Sequence, residues 1–283
     1  MANTTSTTLS NLYTNILQAA MFTAQERAAL RPMITEYNVI GSNGKTVQIP
    51  VYGRVTTDSV TSGENTDASA QAITPSVVNI TTDEIAVMTT LTDTARQSSA
   101  DDVASSIGRL FGETLARKVD ETIASKFANF SNVVSAHGDE VTVDDIFNAV
   151  KILRQNHVYG PYVGVFSPAA AYQLKKQLAN TTQGNIGDLS NAGNQALSQG
   201  VIGTIAGVTL YESALVGAPA GDSSSAATNA IMTADALGIA IKKDITIETQ
   251  RDASLRAEEI VASMTYGVGE IHDDRGVAIL SSN

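Results

Sequence analysis

The stretch 99–130, SADDVASSIGRLFGETLARKVDETIASKFANF, decides how the rest of the chain is read. Its apolar residues Val103, Ile107, Leu110, Leu115, Val119, Ile123, Phe127 and Phe130 recur close to every 3.6 positions. Ser99 followed by Asp102 marks a helix start. A helix over 100–130 spans on the order of 45 Å at 1.5 Å per residue, which is long for a compact domain. Such a helix needs an equally long surface to cover the stripe Val103, Ile107, Leu115, Val119, Ile123 and Phe127. A sheet elsewhere in the chain is the natural partner.

Downstream lies an α/β block. TVDDIFNAVKILRQN (142–156) is an amphipathic helix with acids in its first turn, where the helix dipole favours negative charge. Gly160 and Pro161 end it, YVGVF (162–166) reads as a buried strand, and Ser167-Pro168 opens another helix reaching Leu178. The segments 180–199 and 217–229 are polar, flexible loops. Between them, 200–212 gives strand signals broken by glycine. The segments 230–241, 245–249 and 259–280 continue as apolar or alternating runs.

Upstream, the spacing of Leu9, Leu12, Tyr13, Ile16 and Leu17 is helical, and Thr23 with Glu26 forms a capping-box signature for a second short helix ended by Pro32. Little local sequence is available to cover these stripes, so an arm lying on another surface is expected. GKTVQIPVYGRV (44–55) alternates as a strand, with Pro50 marking an edge or a break in pairing. A polar stretch (56–71) and a second alternating run (77–91) complete a long two-stranded excursion. A hairpin alone cannot bury a core, so this one must lie against something else.

A net charge of −11 leaves too few clustered cations to grip nucleic acid, because such binding displaces counterions with many Lys and Arg. The absence of cysteine removes disulfides, thiolate metal sites and Cys nucleophiles. The N-terminus lacks the basic and apolar regions of a signal peptide, and no apolar run approaches a membrane span. The expectation is a soluble chain with no membrane partner.

Candidate chemistry is sparse. His137, His157 and His272 lack metal-binding spacing, and His272-Asp273-Asp274 reads as an exposed turn. Asp101/Asp102 and Asp144/Asp145 sit at helix starts and serve as caps, while Glu258/Glu259 read as a solvated face. The Gly-x-Gly at 267–269 lacks the third glycine and following helix of a dinucleotide fingerprint, and no phosphate-binding loop or nucleophile elbow is present. No catalytic, cofactor-binding or metal residue is assigned, and no cofactor is expected.

The order of arm, hairpin, long helix, α/β block and returning strands resembles the Hong Kong 97 type coat protein of tailed bacteriophages. The phrases that carry the likeness are NGKTVQIPVYG (43–53), the helix 101–130, GPYVGVFSPAAAYQLKK (160–176), GTIAGVTLYES (203–213), AIMTADALGIAIKKDI (230–245) and YGVGEIHDDRGVAIL (266–280). The resemblance implies an α+β fold with an N-terminal arm (1–40) and an extended hairpin loop (41–76). It further implies a peripheral domain (77–132 and 241–283) with a spine helix at 100–130, and an inserted axial domain (133–240). The runs 77–91 and 245–265 would then pair across the insertion.

The same likeness implies a major capsid protein, made in the host cytoplasm, whose hexamers and pentamers build an icosahedral virion shell around double-stranded DNA without binding it specifically. A separate scaffolding protein, a portal and a possible decoration protein are the implied partners. The hairpin would reach the next subunit through Val47, Ile49 and Val51, with Asp58, Glu64 and Asp67 at its tip facing cations there. From the residues alone two other readings stay open: a soluble α/β binding protein or hydrolase working through 133–215, and another virion component such as a tail or decoration protein.

Overall fold

The computed structural model describes residues 16, 18, 20–23, 29–40, 44–53, 73–94, 103–135, 140–179, 203–216 and 227–281. The hairpin tip with Asp58, Glu64 and Asp67, the Asp101/Asp102 pair, His137 and nearly all of the two polar loops lie outside them. Described strands and helices follow in this order: β1 (Thr35–Asn38), β2 (Thr46–Tyr52), β3 (Pro75–Thr81), β4 (Asp83–Thr92) and α1 (Val103–Ser125). Next come β5 (Val133–Ser135), α2 (Val143–Gln155), β6 (Tyr162–Phe166), α3 (Pro168–Ala179), β7 (Thr204–Ile205) and β8 (Val208–Glu212). The chain closes with β9 (Ala227–Met232), β10 (Leu237–Asp252), β11 (Ala257–Glu270) and β12 (Gly276–Ser281).

The long helix is α1, continued by a 3-10 turn over Lys126–Asn129. Leu115, Val119, Ile123 and Phe127 are buried along one stripe, with Ile107 packed at its edge. Leu110, which the expected stripe leaves out, is 61 % exposed, and Phe111 is buried. Both continue a helical stripe from Ile107, at i+3 and i+4, and tertiary packing selects the second. Ile16, Ala20, Leu30 and Ile34 from the N-terminal segment join the same core, so that segment lies on its own subunit. At Gly112 a Cβ would strike the backbone carbonyl of Ala20, so glycine is what lets the two segments cross so closely.

The sheet beneath α1 has the order β1-β10-β11-β4. β10 and β11 form a long antiparallel ribbon, β4 pairs antiparallel with β11 from Asp83↔Tyr266 to Thr92↔Ala257, and β1 runs parallel to β10. The run 77–91 is therefore not a single strand. It breaks at buried Thr82, whose N–H and hydroxyl both donate to the Lys45 carbonyl at 2.9 Å. The more buried positions are Val78 and Ile80 before the break and Ile85, Val87, Thr89 and Leu91 after it, so the inward parity flips.

β3 leaves the sheet at that break to pair with β2, from Thr46↔Thr81 to Tyr52↔Pro75. It crosses β11 where Gly267 and Gly269 have no side chain: a Cβ on Gly267 would strike the Thr81 carbonyl, and one on Gly269 would lie 2.7 Å from Ile80. Gly267→Ala is expected to cost about 1–3 kcal/mol as an overpacking change against backbone, read as a lower denaturant midpoint with unchanged slope.

The other sheet has the order β5-β12-β9-β6-β8-β7. α2 and α3 cover one face through Ile146, Leu153, Ala171 and Leu174, which meet Tyr162, Phe166, Leu210 and Ile279. The opposite face presents Val165, Ala230, Met232 and Ala278 to the core that also holds Phe127 and Phe130, so one apolar cluster runs under both sheets. The cap on α2 is a true capping box, with Thr142 accepting from the Asp145 N–H and Asp145 accepting from the Thr142 N–H at 2.8 Å. β12 is a correction: grouped from sequence with the returning peripheral strands, it pairs with β9 and β5 in the six-stranded sheet.

Candidate functional site

Among the described residues the chemistry-bearing side chains singled out in the sequence lie apart. Among the described residues no group of three metal-ligating side chains lies together. His157 follows α2 with a φ of 58°, its N–H donating to the Arg154 carbonyl at 3.0 Å. His272 occupies the connection from β11 to β12. Asp144 and Asp145 begin α2, and Gly267 and Gly269 seat Ile80. Glu258 does not lie on a solvated face: it is buried, in register between Arg251 of β10 and Leu91 of β4.

Three polar residues that periodicity does not pick out hold the architecture. Asn229 is fully buried; its side-chain carbonyl accepts from Ser167 N–H at 2.7 Å, and its amide donates to the Ile279 carbonyl at 3.2 Å and to Ser281 Oγ at 2.9 Å. It ties β9, β12 and the start of α3 together. Asp120, buried on α1, accepts from the N–H groups of Ala29 at 2.8 Å and Leu30 at 3.2 Å and so fastens the N-terminal segment. Burial raises the Asp120 carboxyl more than the N–H groups of Ala29, Leu30 and Arg31 lower it. Asp273 accepts from Ser131 N–H at 2.8 Å where the two sheets meet. For Asn229 and Asp120 the sequence signal is a polar residue beside apolar ones, which names no partner; Asp273 sits in a polar turn and carries not even that.

The β2–β3 ribbon shows which surface remains for another molecule. Ile49 is 7 % exposed and packs with Ile80, Ala240 and Ile271, while Val47 and Val51 are partly buried beside them. The face expected to reach a neighbour is therefore spent largely on its own subunit. Directly opposite residues share a face, so the other side carries Thr46/Thr81, Gln48/Asn79, Pro50/Val77 and Tyr52/Pro75. It is polar near the body and apolar toward the tip, where Tyr52 is 67 % and Val77 52 % exposed, and Ile73 follows the same trend.

An exposed apolar surface of this kind suits assembly. A sequence model of the family described as phage capsid protein matches residues 74–280. No curated protein matches the chain. The fold is similar to the capsid of cyanophage P-SCSP1u (18 % identity, TM-score 0.68, covering 89 % of this chain and 87 % of that one). It is similar also to the capsid of Ralstonia phage GP4 (11 %, 0.72, 88 % and 87 %) and to a virus-like particle from Pyrococcus furiosus (9 %, 0.62, 94 % and 98 %). At these identities the likeness concerns the fold. The family match spans β3 to β12, strands of both sheets and the helices over them, and on that ground the chain belongs to the phage capsid protein family, whose work is to form the virion shell.

Proposed function

We propose that the chain is the major subunit of an icosahedral shell of the Hong Kong 97 type, closing through hexamers and pentamers around double-stranded DNA. The observation that carries this reading is the interrupted sheet. β4 precedes α1, the chain then builds the six-stranded sheet, and β10 and β11 return to pair beside β4. This supports an N-terminal arm (1–40), an extended loop (41–76), a peripheral domain formed by 77–132 and the returning β10 and β11 with a spine helix at 100–130, and an axial insertion that begins at 133 and is completed by β12. Strand pairing refines the edges, since β1 belongs with the peripheral sheet and β12 with the axial one.

The ribbon reaches the next subunit with the outer face around Tyr52, Val77 and Ile73, helped by the rims of Val47 and Val51, while Asp58, Glu64 and Asp67 meet cations there. Each exposed ion pair contributes only about 0–1 kcal/mol, so apolar burial carries more of the contact. A scaffolding protein, a portal and possibly a decoration protein complete the assembly. With a net charge of −11, DNA is enclosed rather than gripped. Purified chain at high concentration, viewed by negative-stain electron microscopy, is expected to show rings or closed shells. A compact monomer at every concentration would count against the reading.

A further inference from the structure

We propose that β1 is the side wall of a seat on which the β2–β3 ribbon rests, and that Tyr37 on this wall sets the direction in which the ribbon leaves the subunit. The two faces of the four-stranded sheet are built differently. Ile239, Ile241, Tyr266 and Val268 belong to the core that α1 covers. Their strand neighbours Gly238, Ala240, Gly267 and Gly269 lie on the other face, because successive residues of a strand alternate sides. Gly238 is in register with Gly269 and Ala240 with Gly267, so these four form one patch almost without side chains.

The ribbon lies on that patch, with Ile80 of β3 seated over Gly267 and Gly269 and Ile49 of β2 packed with Ile80, Ala240 and Ile271. A floor of small residues lets the ribbon come close, yet it offers little to stop the ribbon from swinging across it. At its base the ribbon is attached by the chain running from β3 into β4 and by Lys242, whose ammonium donates to the Gly44 carbonyl. A two-stranded ribbon is marginal alone in water, so its course beyond the base follows from what it touches.

Beside the floor stand Tyr37 and Val39, which pack against the same cluster of Ile49, Ile80, Ala240 and Ile271. Tyr37 is in register with Ala240, and its ring reaches over Gly238, where a Cβ would lie 2.8 Å from Tyr37 Cε2. Among the described strands β1 is paired only by β10, over four residues, so bonds outside that short ladder hold the wall upright. Thr35 N–H and Oγ1 donate to the Ala234 carbonyl at 2.9 and 3.0 Å, and Val39 N–H donates to the Ile241 carbonyl at 3.0 Å. Just upstream, Asp120 of α1 holds the N–H groups of Ala29 and Leu30. The wall is thus the end of the segment strapped to α1, and it gives the ribbon the second fixed point that defines a direction. Its consequence for shell closure rests on the reading that the outer face around Tyr52 and Val77 meets the next subunit; the seat itself does not.

The chain has no cysteine, so Thr74→Cys and Thr90→Cys, both at exposed positions, provide the only two sites for spin labels, one beyond β3 and one on β4. Pulsed electron paramagnetic resonance on the full unassembled chain is expected to give one narrow distance distribution with Tyr37 in place. Tyr37→Phe keeps the ring and should preserve it, whereas Tyr37→Ala should broaden it. Hydrogen exchange in β2 and β3 is expected to quicken about tenfold in Tyr37→Ala while α2 and β6 stay unchanged. Val39→Ala, a smaller change on the same wall, should act in the same direction and less. By negative-stain electron microscopy, shells are expected from Tyr37→Phe and not from Tyr37→Ala. A distribution that stays narrow in Tyr37→Ala, protection lost equally over both sheets, loss of the fold, or Tyr37→Phe behaving like Tyr37→Ala would overturn the seat. Normal shells from a chain with a loosened ribbon would overturn its part in assembly. A wild-type chain that closes no shells would instead remove the shell reading, and the spin labels would still decide the seat.

Discussion

Replacing Ile123 by Asp is expected to leave no folded subunit. Ile123 is 0 % exposed, on the stripe of α1 that packs into the core shared by Phe127, Ile260, Met264 and Met232. Among the described residues no Lys or Arg is buried, so the new carboxylate would have no cation to answer it. An uncompensated buried charge costs about 3–5 kcal/mol, and losing the isoleucine packing adds about 2–5 kcal/mol. Domains of this kind are stable by only about 5–15 kcal/mol in total.

The control lies thirteen positions earlier on the same helix: Leu110→Asp, at 61 % exposure, is expected to change stability by no more than about 0.5 kcal/mol. Soluble yield and thermal unfolding by circular dichroism separate the two. A cooperative melt of Ile123→Asp near the wild-type temperature would refute the placement of α1.

The second large effect is on assembly instead of folding. Tyr52→Asp combined with Val77→Asp is expected to give a folded subunit that closes no shells. Both side chains lie on the outer face of the ribbon, so the subunit loses little when they become charged. A neighbour covering them would lose burial of roughly 100 Å² or more per side chain, about 2–3 kcal/mol each, besides having to desolvate two carboxylates. Shell closure repeats that loss at every copy of the contact. Deleting 58–70 and bridging the gap with a Gly-rich turn is the companion test, because it removes the ribbon tip and leaves the Ile49–Ile80 anchor in place.

Both variants should melt close to wild type, whereas Ile49→Asp, on the inner face, should loosen the subunit itself. Normal shells by electron microscopy from both variants, or loss of the monomer fold in both, would remove the ribbon from the assembly contact.

Elements that depend on residues a few positions apart were legible in the sequence. The stripe of α1 needed only the spacing of Leu115, Val119, Ile123 and Phe127, and the α2 cap needed only Thr142 and Asp145 three residues later. The break of the 77–91 run was legible too, in the flipped parity of its apolar residues, although it was read as one strand. The pairing of that run with the returning strands came from family likeness, which carries long-range information that periodicity lacks.

Which surface each face meets was decided only by the tertiary structure. Alternation puts Val47, Ile49 and Val51 on one side of the ribbon, yet nothing local says whether that side meets β11 and β10 or another subunit. Ile107 can be followed equally well by Leu110 or Phe111, and only the packing of distant segments into one core chooses. Asn229 bonds partners 50 to 62 positions away and Asp273 reaches back 142 positions to Ser131, separations at which sequence spacing holds no trace of contact. Periodicity reports the geometry of a single helix or strand; burial and long-range polar contacts arise where distant elements meet.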